Sequence, residues 1–175
     1  MGFGAEPARI QVLLTSLPEG LLPVSKLVLD NVMRNMNVSA LATSKNRKNN
    51  ESEYDTVEFD IEGEDSGLLI GRRGESLKAL QFIVNLIVNK KTEGRVILDV
   101  EGYKERRYSS LRTLAKRVAE RVVDIGQSVT LEPMAANERR VIHMELSDNN
   151  KVTTESTGIG DQRKITIYPM TDKNN

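Results

Sequence analysis

The 175-residue chain has no cysteine, no tryptophan and a single histidine, and its aromatic residues make up only 4%. Without cysteine there is neither a disulfide framework nor a thiolate metal site, which suits a reducing compartment. One histidine leaves carboxylates as the remaining metal ligands, and these fall along an alternating strand pattern rather than in a cluster, so no metal site and no cofactor is assigned. His143 has no nucleophile and orienting acid spaced to suggest a triad, so no catalytic residue is assigned either. No run approaches the roughly 20 apolar residues that span a bilayer, and no signal peptide is visible; the default compartment is the cytoplasm. Net charge is absent as well, 25 Lys+Arg balancing 25 Asp+Glu.

What is present is a globular composition, 38% apolar and 29% charged. The zero net charge conceals segregation. Glu51 to Asp65 holds eight acidic residues and no basic one, whereas Tyr103 to Gln127 holds seven Lys+Arg against three acids. Segregated charge is the electrostatic footprint that a polyanion needs.

Periodicity orders the first half. Pro23 suits the start of a helix, followed at helical spacing by Val24, Leu27, Val28, Asn31, Val32 and Met36, with Asn37 as a stop. Residues 38–45 read as a strand, then comes the polar loop "NRKNNESE", then "YDTVEFDIEG", where Val57, Phe59 and Ile61 alternate with charges as in a half-buried strand. Asp65 to Ile70 fits one helical turn before "GRRG". Glu75 to Asn89 carries Leu77, Leu80, Ile83, Val84, Ile87 and Val88 on a broad apolar face predicted to be mostly buried, and "RVILDV" alternates as a strand.

Gly102 marks a boundary. "YKERRYSSLRTLAKRVAERVVDIG" is a long helix with Leu111, Leu114, Ala115, Val118, Val122 and Ile125 inward and Gly126 as its cap. A short strand "SVTLEP", a helix through "AANERRVIHMEL" and a hairpin of "KVTTEST" and "RKITIYP" across "GIGDQ" follow. The fold class is therefore α+β in two small domains, each below the usual size of about 100–150 residues.

The glycine loop fails two phosphate-loop patterns. A Walker A loop ends in Gly-Lys-Ser/Thr, but Gly74 precedes Glu75, and the first glycine pair of a Rossmann fingerprint is missing. What remains is a loop between two helices. Glycines permit close approach of a ligand backbone, the following helix offers free N–H groups, and arginines supply charge and forked donors. A surface turn with solvated arginines is the plain alternative. "IGRRG", taken with the order helix, strand, strand, helix, loop, helix, strand, resembles a type II KH domain, in which a GXXG loop clamps about four nucleotides.

In the second half, Arg139 and His143 stand at i, i+4 on one helical face, preceded by "LEPM" and followed by a hairpin bearing Arg163 and Lys164. This resembles the single-stranded nucleic-acid-binding domain named for its Arg-x-x-x-His motif. A KH domain followed directly by such a domain is similar to the bacterial Jag (SpoIIIJ-associated) family, and "GFGAEPARIQV" (Gly2 to Val12) resembles the end of its Jag-N domain. The resemblance implies a Jag-N remnant or linker at 1–22, a KH domain at 23–101 with a three-stranded sheet, an Arg-x-x-x-His domain at 102–170 with a small mixed sheet and two helices, and a tail at 171–175.

The resemblance further implies single-stranded RNA, or single-stranded DNA, as ligand and no small-molecule substrate. Ile70, Gly71, Arg72, Arg73, Gly74, Leu77 and Lys78 would hold it in the KH half, with Ile70 and Leu77 lining a base groove. Arg139, Arg140, His143, Arg163 and Lys164 would form the second site. Few aromatics argue against extensive base stacking, which disfavours an RRM or OB-fold and fits a clamp. As further expectations, the family implies a post-transcriptional regulator or chaperone tied to cell envelope and cell shape, a small single-KH partner protein, and a link to a YidC-type membrane insertase. A protein-interaction module, with single-stranded DNA binding or no nucleic-acid binding, is the alternative.

Overall fold

The structure, a computed structural model, describes residues 18–45 and 55–170. The first 17 residues of the segment predicted as a Jag-N remnant, the polar loop 46–53 with Tyr54, and the tail 171–175 lie outside the described residues. The chain divides between Glu101 and Gly102 into two compact units.

The first unit runs α1 (Leu21–Asn35), β1 (Leu41–Lys45), β2 (Thr56–Glu62), α2 (Ser66–Ile70), a 3₁₀ turn (Arg72–Gly74), α3 (Glu75–Val88) and β3 (Arg95–Val100). This is the predicted order. Helix α1 starts two residues before Pro23, its first bond running from Val24 N–H to the Gly20 carbonyl at 3.2 Å. Pro23 is tolerated there because the first helical N–H groups have no intrahelical acceptor. The predicted face of α1 is rotated in the structure. Leu21, Val24, Leu29 and Met33 are buried, while Leu27 and Met36 are exposed, because α1 lies against α3 and the sheet with that side.

The sheet order is β1-β2-β3. β1 and β2 are antiparallel, whereas β2 and β3 are parallel with Phe59 opposite Leu98. A parallel pair needs a crossover, and α2, the glycine loop and α3 supply it. Phe59, Ile61, Leu98 and Val84 are fully enclosed in the resulting core. The acidic segment is partly absorbed by the fold: Asp60 of β2 pairs with Lys45 at 2.8 Å, and Asp65, just before α2, accepts the Ser39 N–H at 2.8 Å.

The second unit runs α4 (Tyr103–Ile125), β4 (Val129–Thr130), α5 (Ala136–Leu146), β5 (Val152–Thr157), a 3₁₀ turn (Gly160–Gln162) and β6 (Lys164–Pro169). Leu111, Ala115, Val118 and Val122 of α4 pack with Ile142 and Leu146 of α5 over Val152, Ile165 and Ile167. Gly126 ends α4 at φ 65° with its N–H on the Val122 carbonyl at 3.0 Å, as its left-handed freedom allows. The sheet order is β4-β6-β5 and antiparallel throughout, so the predicted mixture of strand directions belongs to the first unit and not to this one. The reason is topological: β5 and β6 are joined by a hairpin, and β4 adds to the free side of β6 with no parallel crossover.

Candidate nucleic-acid interface

The loop Gly71–Gly74 is held in backbone conformations that only its composition makes cheap. Gly71 has φ 66°, Arg73 φ 55° and Gly74 φ 80°. At Gly71 even a methyl group would collide with the side chain of Ser76, so the position requires glycine on two counts. Arg73 is not glycine, and its left-handed conformation costs about 1–2 kcal/mol that the flanking glycines do not remove. The loop thus makes a sharp corner from the C-terminus of α2 to the N-terminus of α3.

Around that corner Arg72 and Lys78 are exposed, while Arg73, Ile70 and both glycines are half-buried. Leu77, predicted to line a base groove with Ile70, is only 3% exposed. It is the third residue of α3, in the first turn, on the side turned to the core. The predicted burial of the α3 face is also incomplete. Leu77, Leu80, Val84 and Val88 are buried, but Ile83 is 44% and Ile87 38% exposed, beside Phe82 at 68% and Leu86 at 53%.

Two polar residues outside the expected site orient α3. Asn85 bonds both backbone groups of Val96, and Gln81 accepts the Leu98 N–H at 3.0 Å. Their signal was a polar pair at i, i+4 within an otherwise apolar helix.

In the second unit, Arg139 and His143 lie on the side of α5 next to the hairpin, with different surroundings. The Arg139 guanidinium donates to the Met134 carbonyl at 2.8 Å and the Arg163 carbonyl at 3.5 Å, tying the start of α5 to the start of β6. His143 is exposed, with Nδ1 2.7 Å from the Thr154 hydroxyl. Arg163 donates to the Ser156 hydroxyl at 3.1 Å and its carbonyl at 3.4 Å. Thr154 and Ser156 share one face of β5, so Arg139, His143, Thr154, Ser156 and Arg163 form one polar patch. Lys164, expected in the same site, is exposed but pairs with Thr157 in the β5–β6 register and so projects from the opposite face of the sheet to Thr154 and Ser156. Arg140, one residue after Arg139, leaves this group and lies at a depression between α4 and α5.

Not all of the basic helix is available to a ligand. Arg107 binds Glu138 at 2.7 Å, and Glu138 is 6% exposed and also accepts the Ala135 N–H at 3.3 Å, closing the first turn of α5. Burial raises the Tyr103 phenol above its ordinary value, and Glu138 adds to this while Arg107 opposes it. Arg112 and Lys116 pair with Glu145 at 4.0 and 2.9 Å.

Comparison with known proteins agrees with this architecture. The KH domain model of KhpA/KhpB matches residues 27–100, and the Arg-x-x-x-His (R₃H) domain model matches residues 109–169. The protein named RNA-binding protein KhpB of Clostridium symbiosum is 38% identical over 169 residues, covering 95% of this chain and 73% of that protein. The proteins of the same name from Lactiplantibacillus plantarum and Bacillus subtilis are 39% and 38% identical over 116 residues each. The chain spans only 35% and 56% of their lengths. With both domain models in this order and such a relative over nearly its whole length, the chain belongs to the KhpB (Jag) family of KH and Arg-x-x-x-His domain proteins.

Proposed function

We propose that the chain binds single-stranded RNA through two adjacent modules, residues 23–101 and 102–170, with no small-molecule substrate. The observation that carries this reading is the corner at Gly71–Gly74. It spends conformational strain to present Arg72 and Arg73 at the N-terminus of α3, where first-turn N–H groups and the helix dipole favour phosphate. The patch of His143 and Arg163 supplies a second basic site. The relatives' name, RNA-binding protein, supports the same ligand. Two weak sites on one chain raise apparent affinity through effective concentration without any new contact. A post-transcriptional role tied to the cell envelope rests on the family resemblance alone and requires RNA binding.

The test is a mobility-shift titration of the full chain with single-stranded RNA at low salt, with single-stranded DNA and duplex RNA as competitors. Binding competed by neither DNA nor duplex supports the proposal. Equal competition by DNA relaxes it to single strands in general, and no binding at low salt rejects it.

A second reading has its own observation. Phe82, Ile83, Leu86 and Ile87 form an exposed apolar stripe along α3, a feature of surfaces that meet another protein. It supports a protein partner, such as a small single-KH protein, alongside RNA. Co-purification that survives nuclease but is lost in Phe82→Glu identifies this mode.

A further inference from the structure

In the second unit a depression of about 290 Å³ opens between α4 and α5, away from the His143 patch. Successive residues of a helix turn by about 100°, so Arg140 and Met144 face a different side of α5 from Arg139 and His143. Tyr108 forms one wall, half-buried, its hydroxyl accepting a hydrogen bond from Asn137 Nδ2 at 2.8 Å that holds the ring in place. Met144, 56% exposed, stands in the same depression. Of the cations here, Arg112 is engaged by Glu105 at 3.1 Å and by Glu145. Arg140 is exposed, and none of the ion pairs among the described residues uses it.

These parts have a shared chemistry. An aromatic face and a polarizable thioether suit a flat heteroaromatic ring. A fixed amide and a half-buried carboxylate suit the polar edge of that ring, and an unengaged arginine suits a phosphate. The volume is at the lower end of small-ligand pockets, about 300 Å³, which limits the occupant to a single nucleotide unit.

We propose that this depression takes one unstacked nucleobase of a single strand, its ring against Tyr108 and Met144, its edge toward Asn137 and Glu145, and its phosphate on Arg140. The proposal rests on the RNA-binding reading and adds a contact on the far side of α5. A helix is about 10–12 Å across, so one strand can reach both the His143 patch and this pocket. It also separates Arg140 from Arg139: adjacent in sequence, the two serve different faces.

The test uses the full chain and a single-stranded RNA oligonucleotide carrying 2-aminopurine, with Tyr108→Leu, Arg140→Gln and, as comparison, Arg72→Gln. Binding to the unaltered chain is expected to quench the fluorophore. Tyr108→Leu is expected to abolish the quenching and weaken binding by about 5- to 150-fold, the range for loss of one base–aromatic stack. Arg140→Gln is expected to lower the salt slope by about 0.7, one phosphate's worth on a single strand. If both variants bind and quench as the unaltered chain does while Arg72→Gln binds more weakly, the pocket is overturned and the RNA reading survives. If the unaltered chain does not bind at low salt, the RNA reading fails and takes the pocket with it. Should Tyr108→Leu fail to fold by circular dichroism, the exposed Arg140→Gln decides alone: an unchanged slope overturns the proposal.

Discussion

The side-chain amide of Asn85 pairs with the backbone of Val96 on both sides, Nδ2 donating to the carbonyl at 2.7 Å and Oδ1 accepting from the N–H at 2.8 Å. β3 is an outer strand, and this amide, with Gln81 on the Leu98 N–H, occupies hydrogen-bonding groups that an edge would otherwise offer to another chain. The same bonds hold α3, and with it the corner at Gly71–Gly74, against the sheet.

Replacing Asn85 by leucine keeps the volume and removes both partners of Val96, whose side chain is fully enclosed. The expected cost is about 1–3 kcal/mol, the penalty for leaving buried polar groups unpaired. A urea titration that shows the midpoint unchanged would assign those backbone groups to water instead.

Arg72→Gln with Arg73→Asn keeps polarity and, at position 73, a residue that tolerates the left-handed conformation. If each arginine neutralises one phosphate, the slope of log K against log salt should fall by about 1.4. The measurement is affinity for a single-stranded RNA at several salt concentrations. A slope that stays the same removes the loop from the clamp.

Arg139 and His143 should part company on substitution. Arg139 holds two main-chain carbonyls, so Arg139→Ala is expected to lose about 1–3 kcal/mol of stability before any effect on ligand is considered. His143 is exposed with one hydroxyl neighbour, so His143→Ala should melt within about 0.5 kcal/mol of the parent and show its effect in RNA affinity. Paired melting and binding curves check this, and equal destabilisation by the two variants would contradict it.

Each unit carries a group whose pKa the fold raises. The Asp60 carboxylate, accepting a hydrogen bond from the Lys45 ammonium, holds it above its ordinary value of 10.5, and burial holds the Tyr103 phenol above 10.0. A raised folded-state value contributes stability that is complete below the unfolded pKa and is lost as pH rises through the folded one. Melting temperature should therefore fall above about pH 10, and Lys45→Met and Tyr103→Phe should each flatten that fall. Alkaline profiles parallel to the parent's would refute the assignment.

The order of elements was legible because two periodicities carry it. Alternation at Val57, Phe59 and Ile61 and the 3.6-residue spacing of Leu77, Leu80 and Val84 are local properties of the chain. The α3 face was read too broadly for the same reason. Spacing lists apolar residues on a side of a helix, whereas burial depends on what covers it, and α1 and β3 cover only the side of Leu80, Val84 and Val88. Leu77 is close to the loop in sequence yet faces the core, because a helix turns its residues away from a corner within one step.

By itself, then, the sequence determined two α+β units, the glycine corner, the absence of thiolate chemistry and the i, i+4 pairing of Arg139 with His143, since each depends only on residue type and near neighbours. Tertiary structure alone decided which cations are left for a ligand. Arg107 is spent on a buried carboxylate and Arg139 on two carbonyls, while Arg72, Lys78, Arg140 and Lys164 stand exposed. The physical reason is that a cation's partners in the fold come from residues far along the chain: Glu138 lies 31 positions from Arg107, and Arg163 lies 24 from Arg139.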